Sequence, residues 1–137
     1  MKLAEVTDTF TVSPQLQPGD MSELANAGFR TVICNRPDGE EPGQPAVASI
    51  RDAAERAGMA FHHIPVSGGV FPSEALIAFR QVREEADGKV IAFCRTGTRS
   101  ITLDALANIE NLSANERIER AKRAGYDLSG LRDHLGD

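Results

Sequence analysis

The chain has 137 residues, 41% hydrophobic and 26% charged, which suits one globular core and excludes a disordered or fibrous chain. A formal net charge of -5 argues against nucleic-acid and acidic-membrane partners, because both are recognised by clustered Lys and Arg. Met1 to Phe10 lacks a basic start followed by an apolar run, and no apolar stretch approaches the ~20 residues of a membrane span, so a cytoplasmic location is expected. The two cysteines, Cys34 and Cys94, do not make a disulfide framework, and a reducing compartment leaves a thiol free for chemistry.

The expected elements alternate between strand and helix. Phe10-Thr11-Val12 reads as a short strand closed by Pro14. Asp20 is placed to cap a helix over Met21 to Ala27, ended by Gly28. Arg30 to Cys34 reads as a buried strand, and the Pro- and Gly-containing stretch Asn35 to Gln44 as a loop. Val47, Ile50, Ala54 and Ala57 recur at helical spacing within Pro45 to Ala57. Ala60 to Val66 is the next strand, broken by Ser67-Gly68-Gly69, and Pro72 opens a helix with Leu76, Phe79 and Val82 on one face. Lys89 to Phe93 is another buried strand, followed by a helix from Thr98 or Arg99. Ser113 caps a last helix, Ala114 to Ala124, whose mixed charges suggest a solvated face. The core is expected over about 10–125, with a loosely packed tail over about 126–137.

Strands separated by helices imply a single α/β domain with a mainly parallel central sheet flanked by helices. Ligands of such sheets sit beyond the carboxyl ends of the strands, where Asn35 to Gln44, Ser67 to Phe71 and Cys94 to Arg99 project together.

The third of these loops carries the chemistry. A buried strand ends at Cys94, the short loop Arg95-Thr96-Gly97-Thr98 follows, and a helix begins at once. Unpaired N–H groups and the dipole at a helix start make an anion site, and the same field favours a thiolate. Gly97 lets the loop bend through angles closed to other residues. Arg99 can hold an oxyanion through two parallel hydrogen bonds. Arg95, Thr96, Gly97, Thr98 and Arg99 are the expected anion-binding residues. A lone cysteine at a strand end is ordinarily a small buried hydrophobe. The joint occurrence of strand, Cys, Gly, Arg and helix points instead to a nucleophile.

Cys94-Arg95-Thr96-Gly97-Thr98-Arg99-Ser100 resembles the active loop of the phosphatase-like domain of beta-lactamase-hydrolase-like proteins, a family of the protein-tyrosine-phosphatase fold, dual-specificity-phosphatase-like in build. Asn35-Arg36-Pro37-Asp38-Gly39-Glu40-Glu41 and Phe61-His62-His63-Ile64-Pro65-Val66 resemble two further signatures, in the expected order. The resemblance covers about Thr11 to Ile109. It implies that Cys94 is the nucleophile, that Arg99 binds the substrate oxyanion, and that Ser100 hydrogen-bonds the cysteine sulfur and aids its release. The expected activity is hydrolysis of phosphate monoesters through a Cys94 thiophosphate, without metal or organic cofactor. The expected partner is a small anionic substrate or a phosphoprotein.

Two departures keep a rival open. Tyrosine-phosphatase loops usually place five residues between Cys and Arg, whereas this chain has four, the length found in rhodanese-like sulfurtransferases. The loop Ser67 to Phe71 also lacks the Asp that would protonate a leaving oxygen. Asp38 is the first substitute candidate, with Glu40, Glu41 and Glu74 behind it. Sulfur transfer through a Cys94 persulfide fits both departures, and this domain family can be fused to a metallo-beta-lactamase-like module linked to sulfide oxidation. A third reading is an anion- or phosphoprotein-binding module that kept the cradle and lost catalysis. His62 and His63 alternate across a strand with no third ligand in view, and His134 is far along the chain, so they are assigned to packing. Cys34 is assigned to the core. Arg36 enters the pocket loop, either adding positive charge or pairing with Asp38 or Glu40.

Overall fold

The computed structural model describes residues 1–136. Its strands are β1 Ala4–Thr7, β2 Phe10–Ser13, β3 Phe29–Cys34, β4 Ala60–His63 and β5 Lys89–Phe93, in the spatial order β1-β2-β5-β3-β4. Only β1 and β2 are antiparallel; β2, β5, β3 and β4 run parallel. The helices are α1 Met21–Asn26, α2 Val47–Arg56, α3 Ser73–Glu85, α4 Thr98–Ala107, α5 Ala114–Arg123 and α6 Arg132–Leu135. No helix among the described residues is long and apolar enough to cross a membrane.

The central strand explains the layering. β5 lies between β2 and β3, so its backbone is paired on both sides and both its faces are covered. That is why Lys89–Phe93 reads as a continuous apolar run. Val90 and Ala92 join Phe10, Val12 and Ile33 under α3, α4 and α5. Ile91 and Phe93 join Val32 and Cys34 under α1 and α2. The two half-cores, one on each face, hold the strand's carboxyl end rigidly where Cys94 begins. On the first face the Phe79 ring meets Phe10 edge-on, with centroids 5.9 Å apart, an arrangement that adds to the area term.

Ala4–Thr7 forms an edge strand that no expectation covers, because four residues carry too short an alternation to read. Two local expectations are corrected. Asp20 does not cap α1; its carboxylate accepts from the Gln17 N–H at 2.8 Å, closing a 3₁₀ turn that precedes the helix. β4 stops at His63, but the chain stays beside β3 through Ile64 N–H on the Cys34 carbonyl (2.8 Å) and Val66 N–H on that of Asn35 (3.0 Å). This irregular extension brings the Val66 carbonyl to the site.

Of the expected tail, residue 137 lies outside the described residues, and 126–136 is better anchored than a loose tail. Leu128 and Leu135 are buried, and Arg117 of α5, only 3% exposed, donates to the carbonyls of Ala105 (2.7 Å) and Leu135 (2.6 Å). A buried guanidinium is costly unless hydrogen-bonded, and here carbonyls from two elements supply the bonds. The charged helix α5 is therefore not a wholly solvated face. A second buried network joins α3, α4 and α5: Asp104 pairs with Arg83 and Arg120, and Arg120 with Glu110. Burial pushes the Asp104 carboxyl up, and its two arginine partners oppose that shift.

Candidate active site

The anion loop follows from local geometry. Cys94 continues from β5, and Gly97 occupies the N-cap of α4 with φ +97, a left-handed conformation that only glycine adopts freely. The first intrahelical bond runs from Ile101 N–H to the Gly97 carbonyl at 3.0 Å. The N–H groups of Thr98, Arg99 and Ser100 therefore belong to the helix start, where intrahelical acceptors are lacking. Thr98 N–H is loosely met by its neighbour Thr96 Oγ1 at 3.4 Å. The loop carbonyls are tied outward: that of Arg95 accepts from Gln15 N–H at 3.2 Å, and that of Thr96 from the Tyr126 hydroxyl at 2.9 Å. Gly97 N–H turns the other way and donates to Cys94 Sγ at 3.1 Å. Cys94 is 1% exposed, and its sulfur is covered by the Gly97 N–H.

A lattice of arginines and carboxylates forms the rim. Glu40 takes Arg99 bidentately, accepting from Nη1 at 2.7 Å and Nη2 at 2.9 Å, and Arg99 Nη1 also donates to the Val66 carbonyl at 2.7 Å. Arg99 also interacts with the Cys94 side chain. Glu40 also accepts from Arg36 Nε at 2.8 Å. Arg36, 2% exposed, completes its fork with Glu41 (2.8 Å) and Gln15 Oε1 (3.0 Å). The Arg99 hydrogen bonds, seconded by Arg36, hold the Glu40 carboxyl down at about 2 against the opposing effect of burial. Arg36 holds Glu41 low as well. The Arg99 guanidinium is raised, first by the hydrogen bonds to Glu40, with burial opposing and the nearby Cys94 side chain adding to it. Burial works against the Arg36 charge, but Glu41 and Glu40 outweigh it and raise its pKa.

Arg36, Glu40, Glu41, Gly68, Arg95, Thr96, Thr98 and Arg99 line a cavity of about 460 Å³ at this mouth. A larger groove, about 850 Å³, runs along the outer edge of β4 and contains none of the loop residues. Volume does not mark the site here; the chemistry of the lining does.

Of the expected loop residues, Arg95, Thr96, Thr98 and Arg99 line the cavity; Cys94 and Gly97 do not line it and are joined to each other by the Gly97 N–H on Sγ. Arg95 is largely exposed and reaches Glu41 at 3.7 Å. Ser100 is buried in the first turn of α4, but its hydroxyl donates to Asn35 Oδ1 at 2.8 Å, and Asn35 Nδ2 donates to the Ile64 carbonyl at 2.9 Å. The expected Ser100 contact with the sulfur is thus replaced by a bridge from α4 to β3 and the chain after β4. Asp38 lies outside the cavity. Its Oδ1 accepts from Val47 N–H at 3.1 Å, because the unpaired donors opening α2 attract the nearest carboxylate. Glu74 sits exposed in the first turn of α3.

Arg36 pairs with Glu40 and Glu41 and not with Asp38. Cys34 is core: its thiol donates to the Arg36 carbonyl at 3.4 Å, and burial pushes it up to about 11. His63 Nε2 lies 2.9 Å from that same carbonyl, while His62 is exposed. Three contributors were not foreseen. Asn35 and Gln15 lie next to strand ends, a position that could have flagged them. Tyr126 gave no signal, because it sits in the stretch that reads as a tail.

A parallel sheet whose central strand delivers a cysteine into a Gly- and Arg-containing loop at a helix start defines the phosphatase-like class of the protein-tyrosine-phosphatase fold. Residues 2–111 match the model of the beta-lactamase hydrolase-like protein, phosphatase-like domain, and the chain belongs to that family. Beta-lactamase hydrolase-like proteins of Agrobacterium fabrum and Xylella fastidiosa are 38% identical over 134 residues and 33% over 130; each alignment takes in 93% of this chain. The chain spans about 30% of the length of these relatives. A phosphatase candidate from Neisseria meningitidis superposes with a TM-score of 0.86 at 38% identity, covering 98% of this chain and 96% of that one. The structure of PTPMT1 gives 0.74 at 20% identity over 97% and 90%, which supports the fold alone.

Proposed function

We propose that this chain is a cysteine-dependent enzyme in which Cys94 attacks a small tetrahedral dianion held by the loop amides and Arg99. One observation carries the reading: Cys94 Sγ lies under the Gly97 N–H, with the Arg99 guanidinium fixed beside it by Glu40. Hydrogen-bond donors aimed at the place where charge develops are the main source of catalysis in such sites.

With a phosphate monoester, the thiolate attacks phosphorus, the P–O bond breaks, and the leaving oxygen departs with its electron pair. Water then attacks the Cys94 thiophosphate, releasing phosphate and regenerating the thiolate. The two carboxylates of the cavity, Glu40 and Glu41, are both held low by arginines, so neither supplies a proton to the leaving group near neutral pH. The substrates are therefore esters of acidic hydroxyls, aryl phosphates above all, whose oxygens leave unassisted.

That same lack of a proton donor, with the four-residue span from Cys94 to Arg99, favours a second reaction on the same site: sulfur transfer. The thiolate attacks the outer sulfur of thiosulfate, the S–S bond of thiosulfate breaks, and sulfite leaves with the electron pair. Cys94 is left as a persulfide whose terminal sulfur passes to cyanide or a thiol. Steady-state assays with an aryl phosphate, and with thiosulfate plus cyanide, test both. Cys94-dependent turnover of either supports the proposal and assigns the reaction. A folded protein inert to both overturns the enzymatic reading and leaves an anion-binding module.

A further inference from the structure

We propose that Tyr126 is a positioning residue of the anion loop: it holds the Thr96–Gly97 peptide in the orientation that presents the Gly97 N–H to the Cys94 sulfur. The inference rests on the reading of Cys94 as the nucleophile. The argument is one of peptide geometry. The Thr96 carbonyl and the Gly97 N–H belong to the same planar trans group, so they point in opposite directions. The carbonyl end is held by the Tyr126 hydroxyl at 2.9 Å, and the N–H end by Cys94 Sγ at 3.1 Å. Fixing one end fixes the other.

The constraint is needed because this peptide is easy to turn over. Rotation exchanges the ψ of Thr96 against the φ of Gly97, and glycine tolerates both signs of φ. In the flipped state the sulfur would face a carbonyl oxygen, which repels a thiolate. The two residues also fit each other sterically: a methyl group at Gly97 would overlap the Tyr126 hydroxyl. Glycine at this position thus serves the tyrosine as well as the turn.

Tyr126 is itself firmly seated. Its N–H donates to the Ala121 carbonyl at 2.9 Å, closing the end of α5, and Leu128 beyond it is buried. Burial raises the phenol pKa, with electrostatic interaction with the nearby Cys94 side chain second, so the hydroxyl remains a donor at neutral pH. A carbonyl that accepts a hydrogen bond polarises its peptide and makes the attached N–H a stronger donor. Among the described residues, Arg99 of α4, Tyr126 after α5 and Cys34 of β3 each lie near enough to interact electrostatically with Cys94. Tyr126 lies beyond residues 2–111, the part matched by the family model.

The test is Tyr126→Phe, which keeps the ring and deletes the hydroxyl. Alkylation of Cys94 by iodoacetamide is followed by peptide mass spectrometry across pH, with Cys34 as the internal reference. The expected result is a Cys94 pH–rate profile displaced upward by about half a unit to one unit. That is about a three- to tenfold slower reaction on its acid limb. Cys34 labelling and the thermal midpoint are expected to stay unchanged. Superimposed Cys94 profiles overturn the proposal. So does faster labelling of both cysteines, which would make Tyr126 a general support of the fold. Neither readout uses a substrate, so failure of the proposed reactions in the wild-type protein is a separate result.

Discussion

Glu40→Gln decides whether the carboxylate on Arg99 is an anchor or a plug. Glutamine keeps the shape and removes the charge that binds Arg99 at 2.7 and 2.9 Å and Arg36 at 2.8 Å. The magnitude comes from the carboxyl itself, held at about 2 against an ordinary value of 4.5. That gap corresponds to about 3 kcal/mol between the charged and neutral forms. The side chain is a quarter exposed, and discounting for solvent leaves about 1–2 kcal/mol. As an anchor, Glu40 keeps Arg99 in register with the sulfur, so its loss lowers kcat/KM about 5–30-fold.

Urea unfolding gives the second readout. A carboxyl with a lowered folded-state pKa stabilises the protein above its unfolded value and loses that contribution as pH falls toward the folded value. The stability gap between wild type and Glu40→Gln is therefore full above about pH 4.5 and shrinks toward pH 2. A variant as active as wild type or more so, with a gap that ignores pH, would refute the anchor and make Glu40 a competitor for the oxyanion site.

Cys94→Ser abolishes turnover of both substrates, whereas Cys34→Ser retains most of it, because Cys34 is a core residue whose burial pushes its pKa to about 11; kinetics with both variants check this. Ser113→Ala removes the cap on Glu116 N–H and half of the reciprocal capping box, costing about 1 kcal/mol in urea unfolding with catalysis unchanged. Arg117→Met strips the donors from the Ala105 and Leu135 carbonyls, and the expected loss is about 2–4 kcal/mol, read as a lower thermal midpoint.

Much of this fold was legible, because its strongest signals are local. The apolar run Lys89–Phe93, the spacing of Val47, Ile50 and Ala54, and the Ser113 cap each state their own element. The cradle was legible for the same reason: cysteine, glycine and arginine stand within six residues, on the boundary between a strand and a helix.

What escaped reading depends on pairing across distance. Asp38 and Glu40 are two loop carboxylates that look alike in sequence. Only the fold puts one at the start of α2 and the other on an arginine 59 residues away. Ser100 took a conventional role by resemblance, yet Asn35 claims its hydroxyl from 65 residues away. Arg117 looked like one charge among several on a solvated helix, because burial of a guanidinium is fixed by which carbonyls surround it. Tyr126 combined both difficulties, being remote in sequence and placed in an apparent tail.

The most direct test of the account is the mass of the Cys94 peptide, taken after rapid mixing with an aryl phosphate and, separately, with thiosulfate, each quenched in acid. The account predicts that Cys94 gains one phosphoryl group from the first or one sulfur atom from the second, and that Cys34 gains neither. An unmodified Cys94 in both mixtures, while either substrate is being consumed, would contradict it.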